Sequence, residues 1–284
     1  MKKLTLLLLA VFALCVQDAM AWGGWAHKLI AHTADRYLEP EVKTKVEKYL
    51  GSPIMDHATW MDWVRKPIRN KKHPEHDYYQ PLKATVGWHM VTVDENMQIS
   101  DKRAYNGGGD LLPNLKLCIE NLKNHRNLTD SAVVVNLKCA IHMIEDMHCP
   151  SHIYYTEFPD CFRKPGSKYR WDCFSLTYEG KKRTYHGIWD GDSILTLYPD
   201  FGKDYDLFRD KLDNLSAKKR AKMCEGTVDE WVVETAKDCR KIYDWAGPGD
   251  VLDRSFLLSH RKLSILQYHR ASYRLAHILN ECFK

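Results

Sequence analysis

The stretch Ile141 to His152, IHMIEDMHCPSH, constrains this chain more than any other. It sets His142, Asp146 and His152 in the pattern H-x3-D-x5-H. Positions four apart on a helix share a face, so His142 and Asp146 point the same way. His152 follows just past Pro150, where a helix should already have ended. Two imidazoles and a carboxylate converging at a helix end are donors that zinc takes. A solvated helix face with a few histidines would carry the same letters, so the pattern needs ligand partners elsewhere in the chain.

Such partners recur. His186 and Asp190 repeat the i, i+4 pairing at a predicted helix start. His89 sits in Gly87 to Val93, which alternates like a short extended piece. Asp62 lies in a predicted short helix, Ala58 to Arg65, among Trp60, Trp63 and Val64. A carboxylate in such company needs a partner, because burying a lone charge is costly. Arg65 stands three positions on, near the same face. The pair reads either as a simple ion pair or as a metal-bound carboxylate with a cation aimed at substrate. His27 begins a predicted helix through Tyr37 and Leu38.

Residues 1–21 read as a secretory signal. Lys2 and Lys3 form a basic start, Leu4 to Leu14 an apolar core, and Ala19-Met20-Ala21 a cleavage site. The segment is too short to span a bilayer, and Leu14 is larger than the small residue that usually precedes a lipid-bearing cysteine at the Cys15 position. The expected mature protein is soluble, without stable membrane anchoring, and secreted or periplasmic. It would begin at Trp22, whose free amine and carbonyl can chelate a metal in a five-membered ring, with His27 adding a nitrogen. An ordinary surface Trp and helical His are the competing reading. Removing the signal lowers the net charge from +5 to +4, which suits a phosphate-bearing substrate without requiring one. Eight cysteines remain, an even number that suggests disulfides in an exported chain. Cys161 and Cys173 flank a short polar loop and are the expected pair. No C-x2-C pair favours thiolate zinc ligation.

Periodicity predicts a mainly α chain, with residues 22–284 as one domain without repeats. A helix starts at Pro40, carries Val42, Val46, Tyr49 and Leu50, and breaks at Gly51. Residues 66–82 read as a polar loop. Leu111 to Leu122 is amphipathic. Thr129 to His148 is apolar on several sides, which places it at the centre of a helical bundle. Phe174, Leu176 and Tyr178 before Glu179-Gly180 predict a small β-hairpin. Ala217 to Tyr243 and Ser259 to Phe283 read as long helices.

The ordered set of W-G-x-x-x-H at Trp22–His27, T-W-M-D ending at Asp62, W-H at His89, H-x3-D-x5-H and H-x2-W-D ending at Asp190 resembles the trinuclear zinc single-strand-specific nucleases, which are also 3′-nucleotidases. Their superfamily includes zinc-dependent phospholipase C. The resemblance runs nearly the whole length of 22–284 and takes in Trp231, Glu234 and Tyr273 to Asn280. It implies a helical bundle of that type holding three Zn2+. Asp62, His89, His142 and Asp146 would hold one ion. Trp22 and His27 would hold a second, bridged by Asp146, and His152, His186 and Asp190 a third. It further implies hydrolysis of single-stranded DNA or RNA to 5′-phosphate products by hydroxide generated at the metals. Asp62 would orient or deprotonate the water and Arg65 would contact the phosphate. A monomer with no obligatory protein partner is expected.

The chain also departs from the pattern. Met90 and Thr92 stand where the family often has an aromatic and an acidic residue that serve base binding. Trp63, Trp88, Tyr154 and Tyr155 are substitute stacking residues or core. Glu145 replaces a glycine, and His148 is an additional histidine expected at the pocket rim. Phospholipase C is the nearest alternative, but there the first histidine lies farther from the terminal Trp and the third site closes with His-x3-Glu, not His186-x3-Asp190. A non-catalytic exported zinc- or nucleic-acid-binding protein would not call for Asp62 beside Arg65.

Overall fold

A computed structural model of the chain describes residues 23–100, 111–156 and 174–284. The expected signal segment, Trp22, Cys161 and Cys173 lie outside the described residues. Helix α1 (Gly24–Asp35) is followed by α2 (Pro40–Leu50), which begins with Pro at its first turn and ends at Gly51 with φ +80°. Proline costs nothing where the N–H has no helical partner, and glycine takes the left-handed cap without strain. Helix α3 (Trp60–Arg69) continues past Lys66 with Pro67 inside it, and the short α4 (His76–Tyr79) follows. The polar loop expected over residues 66–82 is therefore partly helical.

Strand β1 (Val91–Val93) precedes α5 (Leu111–Lys123) and α6 (Asp130–Asp146). Thr129 caps α6 by accepting from Ala132 N. From Cys139 to Asp146 every residue of α6 is buried, so this helix does form the centre. Its Val133, Leu137, Ile141 and Ile144 are fully buried, each contributing roughly 1.5–3 kcal/mol. A 3-10 turn, Pro150–His152, leads into β2 (Ile153–Tyr155), which pairs in parallel with β1.

Strands β3 (Ser175–Tyr178) and β4 (Lys181–Thr184) form the expected hairpin. Its two-residue turn, Glu179-Gly180, has both φ angles positive, which matches the twist of the flanking strands. Helix α7 (Tyr185–Gly191) follows, capped by Thr184. Then come α8 (Tyr205–Leu212), α9 (Ala217–Met223), α10 (Val228–Cys239) and α11 (Ile242–Trp245). The single helix expected over Ala217 to Tyr243 is thus interrupted. Gly226 takes φ +91°, and Thr227 and Glu230 form a reciprocal capping box that starts α10 afresh. Strand β5 (Val251–Leu252) joins β3, and α12 (Arg254–Ser259) leads to the long α13 (Arg261–Phe283).

The largest core lies where α6 meets α1, α2, α3, α5 and α13. The six described cysteines are all thiols, with Cys139 in contact with Cys118. No helix among the described residues is long and apolar enough to cross a membrane.

Candidate metal centre

Six elements deliver the predicted donors to one interior region. Helix α1 brings His27, α3 brings Asp62 and Arg65, and the turn before β1 brings His89. Helix α6 brings His142 and Asp146, the 3-10 turn brings His152, and α7 brings His186 and Asp190. None of the eight donors among these nine residues is more than 8% exposed. The start of the described chain is tied to the same region. Gly23 N–H donates to Asp190 O at 2.7 Å, and a Cβ on Gly23 would meet Gly191 Cα at 3.1 Å. Glycine permits this close backbone approach.

Asp146 is the hub. Its Oδ2 lies 2.9 Å from His89 Nδ1 and 3.1 Å from His142 Nε2, while its Oδ1 lies 3.3 Å from His27 Nε2. The rings of His27 and His142 stack at 4.2 Å. Asp62 Oδ1 is 4.0 Å from His142 Nε2 and accepts from Arg65 Nη1 at 2.9 Å. On the far side of Asp146, His152 Nε2 is 3.3 Å from Asp190 Oδ1, and His186 Nε2 is 3.8 Å from Asp190 Oδ2. The donors fall into three sets whose ligating atoms lie within 4.8 Å of one another: His27 with Asp62 and His142; His89 with His142 and Asp146; Cys149 with His152 and Asp190.

Three rings are fixed from behind by carbonyls. His142 Nδ1–H donates to Ala58 O at 2.7 Å, His152 Nδ1–H to His89 O at 2.8 Å, and His186 Nδ1–H to Ser151 O at 3.1 Å. A carbonyl only accepts, so each ring carries its proton on Nδ1 and turns Nε2 inward. This is how a protein sets the tautomer of a ligating histidine.

Several atoms of this region lack hydrogen-bond partners. His27 Nε2, His89 Nε2, His152 Nε2, Asp62 Oδ2, Asp146 Oδ1 and Asp190 Oδ2 are buried without a hydrogen bond. Buried polar atoms are normally satisfied. So many orphans in one region, all nitrogen and carboxylate oxygen, fit divalent cations of the zinc type. Trp22 lies outside the described residues, so its proposed place beside His27 rests on the sequence and on the anchoring of Gly23.

The electrostatics follow from this crowding. Burial opposes charge on Asp146 and Asp62, yet the surrounding histidines outweigh it. His142 and His152 hold Asp146 well below the usual carboxylate range, and His142, His89 and Arg65 hold Asp62 below it. Burial lowers His89 to about 4, helped by Arg65, and lowers His186 to about 4. Burial also works against His152, but Asp146 and then Asp190 raise it to about 10. In His27 burial is likewise outweighed, by Glu145 and Asp146, and the ring is raised well above its usual value. Each of these shifts traces to how closely histidines and carboxylates are packed together here, out of water.

Three side chains here had no role assigned from the sequence, although Glu145 and His148 stood out there as departures from the family pattern. Glu145 is fully buried and its Oε2 meets His27 Nδ1. Cys149 Sγ donates to Asp190 Oδ1 at 3.6 Å, and burial keeps its thiol protonated. His148, expected at a pocket rim, is fully buried. Its Nδ1–H donates to Ile144 O at 2.7 Å and its Nε2 accepts from Arg274 at 3.0 Å. Arg274 in turn meets Glu234, which also binds Arg270 at 2.6 Å. Charge alternation between α10 and α13, at Glu234, Asp238, Arg270 and Arg274, was the available signal. The stacking candidates separate clearly. Tyr154 and Tyr155 are core, Trp88 is half-buried and Trp63 is 41% exposed. Met90 and Thr92 are buried, so neither offers a solvent-facing platform.

No curated protein matches the chain. Residues 22–284 match the family described as S1/P1 Nuclease, and the match covers every donor described above. The chain therefore belongs to the S1/P1 nuclease family.

Proposed function

We propose that this nuclease is an exported, zinc-dependent phosphodiesterase that hydrolyses single-stranded DNA or RNA to 5′-phosphate products. The observation that carries the reading is the set of orphaned, buried nitrogen and carboxylate donors around Asp146, with the Asp62–Arg65 pair beside it. Asp62, His89, His142 and Asp146 would hold one ion. His27 and the Trp22 amine would hold a second against Asp146, and His152, His186 and Asp190 a third. Bound there, the ions supply a water acidified toward neutral pH and positive charge opposite the phosphate.

The chain's own groups do the rest. Asp62 is held ionised, and its Oδ2 has no protein partner, so it can orient a water and take its proton. Arg65 is fixed by Asp62 through Nη1, and a planar guanidinium is the donor type suited to phosphate oxygens. The carbonyl-bound rings keep their tautomers without reorganisation. Cys149 steadies Asp190 from behind.

The test compares single-stranded DNA, RNA, 3′-nucleotides and phosphatidylcholine side by side with the zinc-loaded protein. Nucleic-acid cleavage with 5′-phosphate ends is expected. Lipid hydrolysis without nucleic-acid cleavage would overturn the reading. Export is tested by N-terminal sequencing of protein recovered from the secreting host, which should begin at Trp22.

A further inference from the structure

The surface that continues from the catalytic helix carries two features the chemistry does not use. One is charge. Between Lys66 and Lys83, beyond the Arg65 that pairs with Asp62, there are five basic residues, Lys66, Arg69, Lys71, Lys72 and Lys83, against Glu75 and Asp77. That is a net +3 in a chain whose total is +5. The other is aromatic surface. Trp63 is 41% exposed and Tyr78 is 77% exposed, although both rings are large and apolar. Tyr79 links them, with its centroid 5.3 Å from Trp63 and 4.8 Å from Tyr78, each contact edge-to-face.

This ladder is anchored. Tyr79 and Leu82 pack on the small core of Val64, Ile68 and Val86. His76 Nδ1–H donates to Pro67 O at 2.9 Å, and Gln80 donates to Ile68 O at 3.2 Å. The segment after α3 is therefore folded back on α3, and its exposed rings need no ordering at the moment of binding. Trp63 follows Asp62 on α3, so the ladder and the proposed catalytic carboxylate share one helix.

We propose that Trp63, Tyr79 and Tyr78 form a base-stacking track for single-stranded nucleic acid, with Lys66, Lys71 and Lys72 following its phosphates. Interleaved aromatic and basic side chains are what sequence-tolerant single-strand binding requires, since every base has a π-face and every linkage a charge. A duplex keeps its bases stacked on each other and has no faces to give. The track explains how this chain holds unstacked bases although Met90 and Thr92 are buried. The inference deepens the nuclease reading and rests on it for substrate class.

The experiment uses the zinc-loaded wild-type protein with the Trp63→Ala, Tyr78→Ala and Lys71→Gln/Lys72→Gln variants. Kd is measured for a fluorescent, hydrolysis-resistant single strand of about 20 nucleotides, alongside kcat and KM for the cleavable strand and for a dinucleotide. Each aromatic variant should weaken long-strand Kd and raise long-strand KM about tenfold. kcat on the long strand, and both constants on the dinucleotide, should hold. The double lysine variant should flatten the plot of log K against log salt by about 0.7 per lysine. Kd unchanged within about twofold in both aromatic variants would overturn the track, as would an equal loss on the dinucleotide. Strand binding that depends on Trp63 in a protein that cleaves nothing would instead fail the nuclease reading and leave the track standing.

Discussion

Glu145 Oε2 accepts the Nδ1–H of His27 between helices α6 and α1, with both side chains fully buried. This contact turns His27 Nε2 toward Asp146 Oδ1. Glu145 follows His142 by three residues and precedes Asp146, so α6 carries two proposed ligands on one face and, beside them, the carboxylate that orients a third, His27. Burial pushes Glu145 up to about 7, against the pull of His27. Replacing Glu145 by Ala should lower affinity for the ion at His27 about 10–100-fold, as loss of such orienting partners does. Glu145→Gln, which keeps an acceptor, should retain most of it. Competition with a graded chelator reads this directly: one ion should leave early and the others should not. Uniform weakening of all ions would point to general destabilisation instead.

Asp62→Asn should reduce kcat on single strands about 10²–10⁴-fold with the fold intact by circular dichroism. Arg65→Lys should also lose activity, because an ammonium cannot reproduce the planar fork held by Asp62. An Asp62→Asn protein with undiminished kcat would remove the proposed role of that carboxylate.

His148 gives the protein an acid-sensitive element away from the ligands' inward atoms. Burial, then Arg274, holds this ring well below its usual value, and its Nε2 must stay unprotonated to accept from Arg274. As pH falls below about 6.5 the unfolded chain takes a proton there and the folded chain does not. The unfolded state then binds more protons, so the stability His148 contributes is present above about pH 6.5 and is lost on acidification. Melting temperatures of the chelator-treated protein between about pH 7 and pH 5 should fall less steeply in His148→Gln than in wild type. Parallel curves would contradict the assignment.

Much of the metal region was legible in sequence because its donors come as local patterns. His142 with Asp146, and His186 with Asp190, are one helical turn apart, and Pro150 marks where His152 must leave the helix. The contacts of Glu145, Cys149 and His148 were not legible, because each acts on a residue distant in sequence or across helices. The hairpin was visible in Glu179-Gly180, whereas the break between α9 and α10 hides in a long polar run where only Gly226 and Thr227 mark it. Gly226→Ala tests that break. The backbone there has φ +91° and a Cβ would meet Glu230 Oε2 at 2.9 Å, so the variant should lose about 1 kcal/mol or more in denaturant unfolding. A neutral or stabilising effect would mean the helix can run through.

Bound metal and cleavage should rise and fall together. Protein beginning at Trp22 is stripped with chelator, zinc is returned in steps, and bound zinc and single-strand cleavage are measured on the same samples. The prediction is three zinc ions per chain at saturation, with cleavage absent from the stripped protein and restored as the ions return. Full cleavage by the stripped protein, or saturation without zinc uptake at His27, Asp146 and Asp190, would contradict it.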